Sequence, residues 1–406
     1  MTANNCPVFV LRALITAVLL ALPGAAAFAQ SAPGGDAQSK PIIELRYRYE
    51  GVNDDAFARD ADANTVRLRL GYRWAFAPGW RLVASGDRVQ ALAGARYNST
   101  ANGKTQYPTV ADPQSSEFHE AYVGYADKGL DAALGRQIVA WDNQRFFGNS
   151  GWRQNEQTFD AFSLRYAFGS DGPVLRYAYL DRMQRVYGNA NPNPLLRAWD
   201  LNGNLLNLTQ ATALGNFTGY AYLVENDSIA TASTKTLGAR WTGSRTSDDL
   251  KFGWTLEYAK QDDYANNPAS QSADYRLIEP ALTWRGVTFK IGDEVMGGNG
   301  RYGFATPFAT LHAFDGWADR FLTTPVDGID DRYLGANGNL GKAAWTATWH
   351  DFHADRGGRA YGTEFDAMLT YPLTAHLSGL LKLADYRSDG FSTDERKIWA
   401  SVEYKF

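Results

Sequence analysis

Cysteine is all but missing from this sequence. Its one copy, Cys6, sits near the start of an apolar stretch, outside any lipobox-like context. Residues 8–29 carry that stretch after a single Arg12, then small residues ending Ala27-Phe28-Ala29. This is the pattern of a secretory signal peptide cut before Gln30. With residues 1–29 removed, the mature chain has no thiol, which excludes disulfides, thiol nucleophiles and cysteine-held metals. Beyond residue 29 no apolar run approaches the length of a membrane-spanning helix. A basic excess is absent too: 40 Lys and Arg stand against 44 Asp and Glu, so nothing points to nucleic acid. The familiar signatures of phosphate loops, dinucleotide sites and Ser elbows do not occur.

Aromatic residues, at 14%, and 39 glycines are what the chain has in abundance. An exported, cysteine-free chain of that kind fits a transmembrane β-barrel, in which alternation within each strand hides hydrophobicity from averaged scales. The first two strands show the alternation directly. In the first, Ile43, Leu45, Tyr47 and Tyr49 share one face, and Glu44, Arg46, Arg48 and Glu50 the other. In the second, Val66, Leu68, Leu70, Tyr72 and Trp74 oppose Arg67, Arg69, Gly71 and Arg73. The last residues repeat it with Ile398, Ala400, Val402, Tyr404 and a terminal Phe406, like a barrel-assembly signal.

The connections alternate in length. Short ones rich in Gly, Pro, Asp and Asn fall at 77–79, 127–129, 169–172, 213–216, 243–249, 285–286, 340–341 and 372–374. Long ones fall at 52–63, 93–114, 141–157, 183–202, 226–233, 263–272, 298–329, 355–359 and 388–395. Eight short and nine long links in strict alternation predict eighteen strands, with both chain termini on the short-turn, periplasmic side. Segments 205–211 and 331–339 are the least marked strands and are kept because the alternation needs them. Residues 30–406 therefore read as one all-β, antiparallel up-and-down barrel in the outer membrane of a Gram-negative bacterium. Eighteen strands enclose an aqueous lumen rather than a packed core.

If the apolar phase meets lipid, the opposite phase lines the lumen, and there basic residues outnumber acidic ones. Arg46, Arg48, Arg67, Arg69, Arg73, Arg165, Arg176 and Arg240 are among the arginines on it. A guanidinium stays charged and grips carboxylates with a planar fork. Several weak contacts in series suit a permeant that must leave as well as enter. The expected surface is anion-preferring.

Segment 135–168 holds the densest polar loop. It contains Gly135-Arg136-Gln137, then Asp142-Asn143-Gln144-Arg145-Phe146, Gly151-Trp152-Arg153-Gln154-Asn155 and Thr158-Phe159-Asp160-Ala161. Together with Thr306-Pro307-Phe308-Ala309-Thr310-Leu311-His312, Gly316-Trp317-Ala318-Asp319, Leu205-Leu206-Asn207-Leu208 and Gly219-Tyr220-Ala221-Tyr222, this resembles the alginate-export family of outer-membrane barrels across nearly the whole mature chain. The resemblance implies a monomeric eighteen-stranded channel with an electropositive constriction that passes an anionic uronate polymer. It implies that Arg136, Asp142, Arg145, Arg153 and Asp160 belong to that constriction. The chain is shorter than the family's alginate secretin, which implies reduced plug or gating loops. Arg136 shares the phase of the lipid-facing Leu134 and Ile138. A bulge that turns it inward is expected; the alternative is that Gln137 is the lumen residue.

No catalytic or cofactor site is expected. His350 and His353 lie three apart on a strand and so face opposite ways. A barrel hydrolase would need Ser, His and an orienting polar residue together; His119 with Ser115 or Ser116 is the one such set, and no hydrolase is expected. The acid-rich groups Asp54, Asp55, Asp60, Asp62 and Asp327, Asp330, Asp331 lack EF-hand spacing, so solvated loops are expected before calcium. The expected partners are outer-membrane lipid and lipopolysaccharide, the barrel-assembly machinery and an anionic saccharide solute. The alternative is a general or nutrient-uptake porin for small solutes.

Overall fold

The computed structural model describes residues 38–406, so the expected signal peptide lies outside the described residues. The first strands are β1 (Lys40–Asp54), β2 (Ala61–Ala77), β3 (Trp80–Ala91), β4 (Ser115–Asp127), β5 (Leu130–Gln137) and β6 (Thr158–Ala167). Then come β7 (Val174–Gln184), β8 (Ala198–Thr212), β9 (Gly215–Asn226), β10 (Thr234–Ser247), β11 (Leu250–Asp263) and β12 (Ser272–Trp284). The wall ends with β13 (Val287–Met296), β14 (Ile329–Leu340), β15 (Ala343–His353), β16 (Ala360–Pro372), β17 (Leu377–Ser388) and β18 (Glu395–Lys405). All 18 form one antiparallel sheet in chain order, and β1 pairs with both β2 and β18, which closes the barrel. Closure leaves no edge, the condition for a sheet to sit in hydrocarbon where backbone groups have no water to bond.

The period-2 pattern decides which side chain meets lipid. Leu45, Leu68, Leu70, Tyr72, Trp74, Ile291, Leu334 and Leu381 lie exposed on the outer face, while Arg46, Arg48, Arg67 and Arg69 from the same strands are buried within. Aromatics gather outside the short-turn end. Trp74, Phe76, Trp80 and Tyr125 form a chain with centroid spacings of 5.5, 6.3 and 4.9 Å. Phe217 stacks on Trp241 at 5.3 Å further round. Such rings settle at a membrane–water interface because one end is apolar and the other wet.

The least marked strands are longer than their pattern suggested, as β8 and β14. One turn is tighter than expected. The 243–249 link is mostly strand, because pairing runs on from Gly243 opposite Trp254 to Ser247 opposite Leu250. Only Asp248 (φ 50°) and Asp249 make the turn. Within the 185–197 loop a four-residue helix, α1 (Pro194–Arg197), starts at Asn193, whose side chain accepts from the Leu195 N–H.

Candidate pore constriction

Two of the long connections do not stay at the rim. The third, L3 (138–157), and the seventh, L7 (297–328), pack against each other inside the barrel. The Gly148 N–H donates to the Phe308 carbonyl at 2.9 Å and the Thr310 N–H to the Gln144 carbonyl at 3.0 Å. Gln157 Nε2 donates to both Gly148 and Phe308 carbonyls at 2.8 Å. Phe147 stacks on Phe308 at 5.4 Å, and Phe146 sits among Tyr220, Tyr222, Tyr275 and Phe304. Apolar rings in a solvated loop would lie in water; here they make a core against the inner wall.

Several non-glycine residues of these loops hold left-handed backbone: Asp142 (φ 52°), Gln144 (65°), Ser150 (49°), Asp315 (54°) and Asp319 (64°). Each such residue costs on the order of 1 kcal/mol and persists where its surroundings over-determine it.

The arginines of β1 and β2 are spent on holding L3. Arg46 donates to the carbonyls of Gly151 (3.0 Å) and Arg153 (2.5 Å) and to Gln154 Oε1 (3.0 Å). Arg48 reaches the Trp152 carbonyl and the Asp112 carboxylate. Arg67 pairs with Glu156 and Glu44 at 2.8 Å and with Glu403 at 3.3 Å. Arg69 grips Asp87 with two bonds of 2.7 Å and meets Glu156 at 3.2 Å. All four arginines are buried. Burial pushes the Glu156 carboxyl up, but Arg69, His119, Arg67 and Arg46 outweigh it and hold it well below the usual range. The Asp112 carboxyl, also pushed up by burial, is held low by Arg48 and Arg153. These arginines thus do not make the bare basic surface that the strand pattern suggested; acids of the wall (Glu44, Asp87, Glu403) and of the loops (Asp112, Glu156) pair with them. Arg73 shares their inner face nearer the short turn and is half-buried.

Arg145 and Arg153 bind L3 to L7 and to the wall. Arg145 lies 2.7 Å from Glu294 and 2.8 Å from Asp315, with its guanidinium 4.6 Å over Phe314. Arg153 lies 2.8 Å from Asp319 and 3.3 Å from Glu50. His312 Nδ1 meets Asp319 at 2.7 Å and its Nε2 meets Lys382 Nζ at 2.7 Å, with Trp152 stacked on the imidazole at 4.7 Å. Burial, then Lys382 and Arg153, outweigh Asp319 and press the His312 pKa well below its ordinary value, so the ring stays neutral. Asp319 is held low by His312, Lys397 and Arg153 against its burial. Asp315 goes the other way. Burial, with Glu294 and Asp331 nearby, pushes it up to about 7 against Arg145, because one guanidinium faces two carboxylates.

The opposite wall is more open. Arg165 and Arg176 face inward, half-buried, and are registered partners across β6 and β7. Asp142 of L3 accepts from Asn207 Nδ2 at 2.7 Å and lies 3.9 Å from Arg176. Arg240 lies 3.5 Å from Glu257.

Arg136 and Asp160 require a correction. No bulge turns Arg136 inward: it keeps register opposite Ala121 and Asp160, on the outer face with Leu134 (59% exposed) and Phe162. It grips Asp160 at 2.7 and 3.0 Å, which also accepts from Gln184. Gln137 is the inward residue, bonded to Ser163 and the Ala161 carbonyl. The register shift lies one pairing along, between Asp160 and Ala161 against β7. Arg136→Ala is accordingly expected to leave conductance and ion selectivity at wild-type values in bilayer recordings. It should lower stability by less than about 1 kcal/mol, as for an outlying ion pair.

Strand alternation alone missed Asp112, Glu156, Asp315 and Asp319. The signal that could have found them is the company they keep, since Trp152, Phe146, Phe147 and Trp317 are too apolar for a solvated rim. His119 is buried beside Glu156 (3.8 Å) and Asp87 (4.0 Å). Ser115 lies about 13 Å along the same strand and bonds Asn155, and Ser116 faces out to Arg88. The acid-rich loops are answered from within the protein: Asp54 by Arg320 and Thr393, Asp62 by Arg96, Asp330 by Arg332, Asp331 by His350. Among the described residues no group of three or more His, Cys, Asp or Glu is arranged to hold a metal ion.

A family model described as alginate export matches residues 41–262. No curated protein matches in sequence. Solved structures of similar fold include OpdK of Pseudomonas aeruginosa with vanillate, 13% identical, TM-score 0.69, covering 91% of this chain and 98% of that one. OccAB4 of Acinetobacter baumannii is also 13% identical, TM-score 0.72, over 92% of this chain and 100% of that one. OccK2 (OpdF) of Pseudomonas aeruginosa, in complex with glucuronate, is 11% identical, TM-score 0.67, over 91% and 98%.

Proposed function

Because this chain belongs to the alginate-export family and has the closed 18-stranded fold of outer-membrane channels, we propose that it is a passive channel for uronate-type saccharides. The observation that carries this is the inner-wall set of Arg165 and Arg176, both half-buried, with Arg240, whose side chain is 14% exposed; Arg176 lies against Asp142 of L3. These cations sit where the β1–β2 arginines no longer serve, since those are neutralised under L3. A carboxylate passing L3 meets guanidiniums that are only loosely paired and can exchange partners. Such contacts guide an anion without trapping it. No bond is made or broken, and the gradient sets direction. The glucuronate complex of OccK2 (OpdF) supports a sugar acid as the solute. The packed L3–L7 pair favours monomers and short oligomers over a long polymer. The channel acts as a single barrel in outer-membrane lipid.

Proteoliposome swelling tests the reading. Galacturonate and its short oligomers should enter faster than neutral sugars of the same size, and more so at low salt, where screening is weak. The second reading, a general or nutrient porin, is favoured by the neutralisation of Arg46, Arg48, Arg67 and Arg69; it requires swelling rates set by size alone.

A further inference from the structure

Like charges placed directly opposite each other on neighbouring strands destabilise a sheet. Arg165 and Arg176 are so placed, both on the inner face. The Arg165 side chain has no hydrogen bond or ion pair among the described residues. Asp131, its other registered neighbour, is taken by Arg81 at 2.6 Å. Arg176 has Asn207 Oδ1 at 3.5 Å and Asp142 at 3.9 Å, at the outer limit of an ion pair. Beside them Asn207 is fully buried, and its amide is aimed at Asp142 at 2.7 Å with the Tyr222 hydroxyl 3.4 Å away. Arg165, Arg176 and Asn207 are successive registered partners on the inner face of β6, β7 and β8, and two guanidiniums with an amide donor are the donor set a carboxylate requires.

The carboxylate now there comes from L3. Asp142 stands in a tight turn closed by the Gln144 N–H donating to the Trp141 carbonyl at 2.8 Å. Its backbone is left-handed, and Trp141 and Phe146 pin the turn against Tyr222 at 6.1 and 5.9 Å. The Asp142 side chain remains 18% exposed and that of Arg176 33%.

We infer that Arg165, Arg176 and Asn207 form a carboxylate-binding site which Asp142 occupies in the resting channel as a built-in competitor of the permeant. The inference rests on the anion-channel reading and adds to it the position of a binding site and the residue that controls its affinity. A permeant carboxylate takes the two guanidiniums, Asp142 turns to water, and L3 restores the resting contact when the solute leaves. The displaced carboxylate keeps binding weak enough for release.

The test is planar-bilayer recording with sodium glucuronate as probe. Asp142→Asn keeps the shape and the Asn207 contact but removes the charge. It should raise the chloride-over-potassium permeability ratio and lower the glucuronate concentration that halves the chloride current, each by roughly fivefold. Asp142→Glu should stay at wild-type values for both. Arg165→Gln, alone or with Arg176→Gln, should weaken the glucuronate block and serves as the test if Asp142→Asn does not insert. An anion-selective wild type whose Asp142→Asn variant keeps the same ratio and the same half-block overturns this inference alone. A cation-selective wild type whose Asp142→Asn variant shifts toward anions supports the site and overturns the broader reading.

Discussion

Arg145→Met should raise single-channel conductance markedly while the barrel stays folded. Arg145 is fully buried between Glu294 on β13 and Asp315 on L7, at 2.7 and 2.8 Å, with Phe314 and Tyr275 against its guanidinium. Removing one partner of a buried charge cluster leaves the others uncompensated, at a cost of about 3–5 kcal/mol. The wall cannot relieve that cost, because Glu294 is fixed in a strand paired on both sides. L7 can relieve it by carrying Asp315 back to water. The variant should therefore open the constriction and show noisier current, with the heat resistance of the barrel in gels little changed. An unaltered conductance in recordings would mean that L7 is held without Arg145.

The same loop should make the channel respond to pH, opening as pH rises. In the docked loop, burial and the charges of Glu294 and Asp331 push Asp315 up to about 7, whereas in water an aspartate titrates at 3.8. A group whose docked value is raised favours docking while protonated. That contribution is complete below about 3.8 and is lost as pH rises through about 7. Conductance should climb between about pH 4 and pH 7 and level off above that. The other charged groups facing this part of L7 include Arg145, His350, Lys382, Glu364 and Asp366; Lys382 lies 3.7 Å over the Trp317 ring, and Glu364 and Asp366 accept from the Ala318 and Trp317 N–H groups. His312 adds nothing in this window because its pKa is pressed well below its ordinary value. Asp315→Asn stays neutral at every pH and should flatten the climb, holding the low-pH conductance throughout. A climb that persists in that variant would move the titration to another group.

The wall was legible in the sequence for a physical reason. A strand shows its two faces with period 2, and lipid demands an apolar outer face, so Leu68, Leu70 and Arg67, Arg69 assign themselves. Strict alternation of short and long links then counts the strands. The lumen was less legible. Alternation says that Arg67 points inward, but not that Glu156 of a distant loop will meet it. Counting charges on the wall alone therefore produced a basic surface, which Asp112, Glu156 and Asp319 largely cancel. Arg136 misled for a related reason. Its place in a motif suggested the pore, its phase indicated the outside, and the phase was the sounder guide because the β5 register is unbroken there. Arg165, Arg176 and Arg240 could be assigned to the inner face but not ranked. What singles them out is loose pairing, which depends on where L3 comes to rest.

The reversal potential of the reconstituted protein across a potassium chloride gradient tests the central claim most directly. Anion selectivity that declines as salt rises is the predicted result, because lightly paired arginines on the inner wall act through a screened field. A reversal potential showing cation preference at low salt would contradict the claim.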